Sequence, residues 1–287
     1  MKKYLLFWST ILFTFSALQM AVAQKSANST FDWQGHRGTR GLAPENTIPA
    51  FLKALEFPVT TLELDVVVSK DGQLIVSHDP WMSDHICSHP NGTPVDSAEV
   101  KNLKILELTY AEIKHYDCGR RGNSSFPQQV PQPAHKPSLD DMLAALIAYC
   151  LEQNRPLPLF NIEIKSQPEW DGIFTPAPEK IAELLLHIAG RPGLKNMVCI
   201  QSFDVRALEA VHEQAPDMTT ALLVENTDSW KDNLGRLSFQ PDIYSPYFKL
   251  LRKRHIRKLH KRGIRVIPWT VNTVEDMKRL RRKGVDG

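Results

Sequence analysis

Charged residues occur at a spacing of two in two apolar segments of the chain. Glu63 and Asp65 alternate with leucine and valine, and Glu163 and Lys165 repeat this spacing further on. In a β-strand, residues two apart lie on one face. Buried charges are costly unless they are paired or bind a metal, so simple salt bridges are one interpretation. Two such pairs on neighbouring strands favour a site for a divalent cation, and oxygen ligands suit Ca²⁺ or Mg²⁺.

Two histidines stand close to these strands and could act on the same group. His36 precedes Arg37 in a turn, and His78 ends the short strand that follows the Glu63–Asp65 strand. Two imidazoles on either side of a phosphate can divide the roles of general acid and general base. The guanidinium of Arg37 is a planar fork that fits phosphate or carboxylate. The turn contains three glycines that let an anion approach the backbone: Gly35, Gly38 and Gly41.

The elements that must position these residues alternate between strand and helix. Seven core strands are predicted, beginning near Phe31, Thr61, Leu159, Asn196, Thr219, Asp242 and Arg265. Each is followed by a helix, which predicts a parallel α/β fold of the TIM (β/α)₈ barrel type. An eighth strand is expected beyond Gly287, so the barrel should be open. A doubly wound sheet is the alternative, but it would normally carry a phosphate loop or a dinucleotide fingerprint, which the sequence lacks.

The segment 79–137 interrupts this alternation directly after the second strand. It is rich in proline, glycine, asparagine and serine, and an insertion of this length is usually functional or a small subdomain. We expect it to cover the mouth of the barrel and to influence substrate choice. It contains Cys87 and Cys118, for which both a disulfide and free thiols are open. Cys150 and Cys199 lie in apolar segments and are predicted to be buried thiols.

The first residues have the features of a targeting segment. Two lysines precede a largely apolar run from residue 4 to residue 18, and small residues follow up to Ala23. This pattern predicts a signal peptide over 1–23 and a single mature domain over 24–287. An uncleaved membrane anchor is the alternative interpretation. Export would bring the protein to the periplasm or the medium, where disulfides persist.

The charge of the whole chain gives no argument for nucleic-acid binding. The formal net charge is +3, and removal of a signal peptide with two lysines would reduce it further. One predicted helix, 250–262, carries seven lysines and arginines. It is either the solvated outer face of a barrel helix or a patch that makes weak contact with an anionic membrane surface. Nothing in the sequence indicates an oligomeric state.

The motifs occur in an order that resembles one known family. They are His36-Arg37-Gly38, Pro44-Glu45-Asn46-Thr47, Glu63-x-Asp65, His78-Asp79 and Glu163-x-Lys165. Each is weak alone, but the ordered set is similar to the glycerophosphodiester phosphodiesterase pattern. The similarity extends over 31–287. Strand ends at Gln201-Ser202-Phe203 and Trp269 also fall where this family has substrate-facing positions.

The resemblance implies a role for nine residues and a reaction. The implied roles are metal ligand for Glu63, Asp65 and Glu163, acid–base pair for His36 and His78, and substrate binding for Arg37, Lys165, Trp269 and Glu45. Arg37 would bind the phosphate, Lys165 would help to neutralise charge, and Trp269 would pack on the glycerol end. Glu45 would orient Arg37 or act as a carboxylate in the first turn of a helix.

The implied reaction is hydrolysis of a small glycerophosphodiester to sn-glycerol 3-phosphate and an alcohol, with Ca²⁺ or Mg²⁺ as cofactor. Either water or a neighbouring glycerol hydroxyl could be the nucleophile. An enzyme on the same scaffold that acts on larger lipids, phospholipase D-like or phosphoinositide-cleaving, is one alternative. A non-catalytic anion-binding barrel is another, although binding an anion does not require an acid–base pair.

Overall fold

The structure is a computed structural model that describes residues 31–287. The predicted signal peptide, 1–23, lies outside the described residues. A parallel sheet of seven strands runs through the molecule, and a short eighth strand, β3, pairs antiparallel with β2. The strands are β1 (Gln34–Gly35), β2 (Thr61–Val68), β3 (Leu74–Val76), β4 (Leu159–Ile164), β5 (Val198–Ser202), β6 (Thr219–Val224), β7 (Ile243–Pro246) and β8 (Arg265–Val266).

Helices connect the parallel strands and pack around the sheet. They are α1 (Ile48–Ala54), α2 (Tyr110–Ile113), α3 (Leu139–Glu152), α4 (Pro178–Ala189), α5 (Val205–Gln214), α6 (Trp230–Leu234), α7 (Lys253–His260) and α8 (Val274–Lys283). Within residues 31–287, none of them is long and apolar enough to cross a membrane.

The order of the parallel strands in the sheet confirms the predicted barrel. The order is β1-β2-β4-β5-β6-β7-β8, which follows the chain without a reversal. A doubly wound sheet reverses its strand order at a switch point, so that alternative is wrong. The sheet curls into an open barrel. The amide of Asp286 donates to the carbonyl of Val266 (2.9 Å), and the amide of Asp32 donates to the carbonyl of Asp286 (2.8 Å), so residues at the C-terminus lie between β8 and β1.

Alternation along β2 separates the hydrophobic core from the polar interior of the barrel. Leu62, Leu64 and Val66 pack in the main core with apolar residues of α1, α3 and α4. Because successive side chains of a strand point to opposite faces, Glu63 and Asp65 are directed away from this core. The apolar positions of β2 therefore fix the direction of the two carboxylates.

The insertion has a small hydrophobic core of its own beside β2 and β3. Val67 and Ile75 pack there with apolar residues of the insertion, among them Met82, Ile105 and Ile113. A disulfide joins Cys87 to Cys118 in this core, which decides between the two outcomes that the sequence left open. Both other cysteines are free, and Cys150 is buried as predicted, whereas the residue Cys199 is only partly buried.

The first helix begins later than the sequence pattern predicted. We predicted a start at Glu45, but α1 begins at Ile48, because Thr47 is its N-cap and accepts a hydrogen bond from the amide of Ala50 (3.4 Å). Asn46 has a positive φ of 55°, a conformation that a helix cannot contain. Glu45 and Asn46 therefore lie in the turn that faces the site, so Glu45 is not a carboxylate of the first helical turn.

Candidate active site

The turn after β1 brings the predicted glycine-rich segment against the carboxylates of β2. Gly38 has a φ of 79°, and a Cβ at this position would lie 2.7 Å from the carbonyl carbon of Ala50, so only glycine fits. Arg37 also has a positive φ, 50°, which is uncommon for a residue with a side chain. In this turn, Nε2 of His36 lies 4.0 Å from Oε2 of Glu63.

Three carboxylates meet in the interior of the barrel. Asp65 and Glu163 are partners in the register of β2 and β4, and together with Glu63 they offer oxygen atoms that all lie within 4.8 Å of one another. All three side chains are buried. Burial and the neighbouring Asp65 raise the pKa of Glu63 well above its usual range. Burial also raises the pKa of Glu163, so the cluster holds unfavourable negative charge.

Polar side chains orient the two carboxylates of β2. Oε1 of Glu63 accepts a hydrogen bond from the Gln201 amide (2.9 Å), and Oε2 accepts one from the backbone N–H of Arg37 (2.9 Å). Oδ2 of Asp65 accepts a hydrogen bond from the amide of Asn46 (2.8 Å). Burial raises the pKa of Asp65, but Arg37 and other cations nearby outweigh this and hold that pKa below its usual range.

Asn46 and Gln201 were not among the nine predicted site residues. Their signal was present in the sequence, since Asn46 belongs to the Pro-Glu-Asn-Thr motif and Gln201 lies at a strand end. What the sequence could not provide was the partner that each amide contacts in the folded chain.

Lys165 neutralises part of the acidic cluster from β4. Its Nζ donates to Oε1 of Glu163 (2.8 Å) and lies 4.0 Å from Oδ1 of Asp65. Burial lowers the pKa of Lys165, but the two carboxylates reverse this effect and raise it above the usual range. Lys165 therefore stays charged, as a residue that neutralises charge must.

Glu45 lies between two arginines of the same turn. Nη1 of Arg37 donates to Oε1 of Glu45 (2.7 Å), and Nε of Arg40 lies 2.7 Å from Oε2. Nε of Arg37 is in addition 3.4 Å from Oδ2 of Asp65. The guanidinium of Arg37 is thus fixed between Glu45 and Asp65, and its side chain is only 10% exposed.

The second histidine is held by the residue that follows it. Nδ1 of His78 lies 2.8 Å from Oδ1 of Asp79, and Nζ of buried Lys136 donates to Oγ of Ser77 (2.8 Å). Burial raises the pKa of Asp79, but the hydrogen bond from His78 and its charge lower it to about 2. For His36, burial and the charge of Arg37 lower the pKa to about 3, so its ring is neutral at neutral pH.

One cavity of about 760 Å³ joins these residues, and it extends to residues that precede β1 and β2, such as Phe31 and Val59. Its lining includes His36, His78, Arg37, Glu63, Glu163 and Trp269, whereas Asp65 and Lys165 do not line it. Trp269 donates to the carbonyl of Ser245 (3.0 Å), and its ring meets that of Phe203 edge to face, with centroids 5.2 Å apart. The other predicted site residue, Glu45, lies behind Arg37.

The three-carboxylate cluster, of which Glu63 and Glu163 line this cavity, fits a hard divalent cation. Three carboxylates within reach of one another are typical oxygen ligands for Ca²⁺ or Mg²⁺. A site that only binds an anion needs cationic or hydrogen-bond donor groups such as Arg37, but it does not require three buried carboxylates. The arrangement therefore places three carboxylates that could hold a cation close to two imidazoles.

Comparisons with known proteins agree on one family. The model of the "Glycerophosphoryl diester phosphodiesterase family" matches residues 36–287. A "Glycerophosphodiester phosphodiesterase" from Bacillus subtilis (strain 168) is 28% identical over 88% of this chain and 80% of its own length. Another of that name, from Caldanaerobacter subterraneus subsp. tengcongensis, is 28% identical over 88% of this chain and 90% of its own length.

Solved structures share the fold. A crystal structure of a candidate glycerophosphoryl diester phosphodiesterase from Silicibacter pomeroyi DSS-3 has a TM-score of 0.78 and 29% identity, over 91% of this chain and 89% of its own. An Oleispira antarctica phosphodiesterase, solved in complex with the product sn-glycerol-3-phosphate, has a TM-score of 0.69 and 20% identity, over 89% of this chain and 90% of its own.

Proposed function

This chain belongs to the glycerophosphoryl diester phosphodiesterase family, and we propose that it hydrolyses small glycerophosphodiesters to sn-glycerol 3-phosphate and an alcohol. Homologues over most of the chain are named for this activity, and the Oleispira antarctica phosphodiesterase was solved with sn-glycerol-3-phosphate. The single observation that carries the proposal is the cavity that His36, His78 and Arg37 share with the carboxylates Glu63 and Glu163.

The two imidazoles would divide the proton transfers of the reaction. One removes a proton from the nucleophile, and the other donates a proton to the oxygen of the leaving alcohol. His36 lies against Glu63, and His78 is oriented through Nδ1 by the ionised Asp79. Arg37, which Glu45 and Asp65 hold in place, would bind a phosphate oxygen. Trp269 would offer an apolar wall to the carbon side of glycerol.

Glu63, Asp65 and Glu163 would hold a divalent cation, Ca²⁺ or Mg²⁺. When bound, such a cation supplies Lewis-acid polarisation of phosphoryl oxygens. The protein prepares for it by orienting the carboxylates: Gln201 and Arg37 fix Glu63, Asn46 fixes Asp65, and Lys165 fixes Glu163. Groups behind metal ligands of this kind contribute to affinity because they fix ligand geometry.

The test follows release of glycerol 3-phosphate from glycerophosphoethanolamine and glycerophosphocholine, with Ca²⁺, with Mg²⁺ and with a chelator. We expect release that depends on the cation. His36→Ala and His78→Ala should each lower kcat by roughly 10²–10⁴-fold while the protein still folds, and His187→Ala, on the exposed face of α4, is the control.

Near-normal turnover by His36→Ala would remove it from the acid–base pair. If the folded, metal-loaded protein releases no glycerol 3-phosphate, intact phospholipids and phosphoinositides are the next substrates. Failure with these lipids as well would leave only an anion-binding role.

A further inference from the structure

Arg40 is a second cation at the wall of the active-site cavity, and its terminal nitrogens are available to bind a ligand. Its side chain is 29% exposed, and Nε is held 2.7 Å from Oε2 of Glu45. Among the described residues, no group forms a hydrogen bond with its two terminal nitrogens, Nη1 and Nη2. A guanidinium that is ion-paired at Nε and has no hydrogen bond at its terminal nitrogens can donate two parallel hydrogen bonds to one acidic group.

Arg37 is in the opposite situation, although it lies three residues earlier. It contacts the carboxylates of Glu45 and Asp65 and is 10% exposed. Much of its charge is therefore compensated inside the protein before any ligand arrives. The two arginines share Glu45 but differ in what they can offer. Arg37 offers a buried edge beside the acidic cluster, and Arg40 offers a more accessible fork.

The insertion fixes the position of Arg40. The centre of its guanidinium lies 4.7 Å from the centre of the Phe126 ring. The side chain of Gln129 donates to the carbonyl of Arg40 (2.8 Å), and the amide of Val130 donates to the carbonyl of Leu42 (2.9 Å). Residues 125–128 themselves line the cavity. The insertion and the turn after β1 thus contact each other and form one wall of the cavity, with Arg40 among its lining residues.

We propose that Arg40, supported by Phe126, is a subsite for an acidic group on the alcohol part of the substrate. The proposal rests on the proposed function, because it concerns the selectivity of that same cavity. A carboxylate or phosphate on the alcohol would accept the two free donors of Arg40. Substrates that carry such a group would be preferred over otherwise identical substrates that lack it.

The same wall offers little to a cationic alcohol such as choline. An aromatic ring can bind a quaternary ammonium through its face, but Arg40 already covers Phe126. The carboxylate of Glu45 cannot attract it either, since two arginines neutralise it. A positive group placed here would face Arg40 without a compensating negative charge.

Glycerophosphoserine and glycerophosphoethanolamine test the proposal, because they differ by one carboxylate on the alcohol. We expect the wild-type protein to have a higher kcat/KM for glycerophosphoserine. In Arg40→Gln, the ratio of the two kcat/KM values should fall by roughly tenfold, the loss of one charge-assisted contact. Arg40→Lys should retain part of the ratio, because it keeps the charge but loses the fork.

Arg120→Gln is the matched control, since Arg120 lies in the insertion with its side chain 75% exposed. It should leave the ratio unchanged. An equal loss for both substrates in Arg40→Gln would overturn the proposal, because Arg40 would then act on the shared phosphate or through Glu45. An unchanged ratio would overturn it as well. If the wild-type protein cleaves neither substrate, both the proposed function and this subsite are wrong. If it cleaves both substrates without discrimination, only the subsite is wrong.

Discussion

The side chains of the acidic cluster are arranged for function at the expense of stability. Glu163 is buried beside Asp65 and Glu63, and burial with the charge of Asp65 raises its pKa. Lys165 occupies only Oε1 of Glu163. Like charges that cannot reach water disfavour the folded state unless a cation joins them. Without metal, the folded protein therefore contains a repulsion between buried carboxylates, and replacing one carboxylate by an amide would relieve it.

Glu163→Gln should stabilise the metal-free protein while it removes activity. The amide oxygen can still accept the hydrogen bond from Lys165, and the negative charge beside Asp65 is gone. We expect a gain of about 0.5–2 kcal/mol in the free energy of unfolding, typical of removing a functional strain. Thermal melting with and without Ca²⁺ or Mg²⁺ measures this, and the cation-dependent rise of the wild-type Tm should be lost in the variant.

Glu183→Gln on α4 is the control for this substitution, because Glu183 pairs with Lys180 at the surface. It should leave the cation-dependent rise unchanged. A Glu163→Gln protein that is less stable than wild type without metal would contradict the repulsion argument. Retention of the full rise would show that Glu163 is not a ligand.

At the scale of elements, the sequence predicted those strand and helix positions that depend on the local residue pattern. β6 begins at Thr219 as predicted, because a short run of β-branched and apolar residues determines a strand locally. The predicted start of α1 at Glu45 was wrong. The N-cap at Thr47 and the positive φ of Asn46 determine where the helix begins, and the apolar periodicity does not reveal them.

The charged residues of the site were predictable from the sequence, but the amide side chains that hydrogen-bond to them were not. Charges in an apolar strand stand out in any sequence, so Glu63, Asp65 and Glu163 could be found. The amides behind them are bonded across long separations of the chain: Asn46 is 19 residues from Asp65, and Gln201 is 138 residues from Glu63. An amide carries no sign of its partner until tertiary structure brings the two together. Arg40 and Phe126 were overlooked as a pair for the same reason.

The disulfide of the insertion belongs to this scale as well. Cys87 and Cys118 are 31 residues apart and close a loop around a core of few apolar side chains. We expect Cys87→Ser with Cys118→Ser to lower the free energy of unfolding by about 2–5 kcal/mol, mainly because the unfolded chain gains entropy. Urea unfolding of the oxidised wild type and the double variant measures the difference.

A reducing agent provides the control for this prediction. It should lower the stability of the wild type toward that of the double variant and leave the double variant unchanged. Equal stability of the wild type with and without the reducing agent would contradict a stabilising role for the disulfide. Because the insertion carries Phe126, activity should fall together with its stability.

At the scale of the whole molecule, positive charge is concentrated at the C-terminal end of the chain. Residues 251–287 contain thirteen lysines and arginines but three acidic residues, although the net charge of the chain is only +3. Ten of these cations are exposed and have no carboxylate partner within the described residues: Arg252, Lys253, Arg254, Arg257, Lys258, Lys261, Arg262, Lys278, Arg281 and Arg282. We call this set the basic face.

Two contacts join the segments that form the basic face. Nζ of Lys283 donates to the carbonyl of Leu251 (3.0 Å), and Nε2 of His260 lies 2.8 Å from Oδ2 of Asp286. Ile256 and Leu259 of α7 and Leu280 of α8 are buried on the opposite side. The cations of both helices are therefore exposed, whereas the apolar residues of these helices are buried.

We expect the basic face to bind vesicles that contain anionic phospholipid. Each lysine or arginine near such a surface contributes about 1 kcal/mol, so the triple variant Arg257→Gln, Lys258→Gln and Lys261→Gln should bind roughly a hundredfold more weakly. Co-sedimentation with phosphatidylglycerol vesicles measures this, and binding should decrease as salt is added because the charges are exposed. Vesicles of phosphatidylcholine alone should not bind.

The matched control removes three exposed cations elsewhere, as Lys70→Gln, Lys114→Gln and Arg120→Gln. If attraction depended only on net charge, this variant would lose as much affinity as the first, and the basic face would not be a distinct surface. If the wild type fails to bind anionic vesicles at low salt, the ten cations form only a solvated outer face. Binding that is lost selectively in the α7 variant would instead assign the membrane contact to one side of the barrel, away from the apolar core.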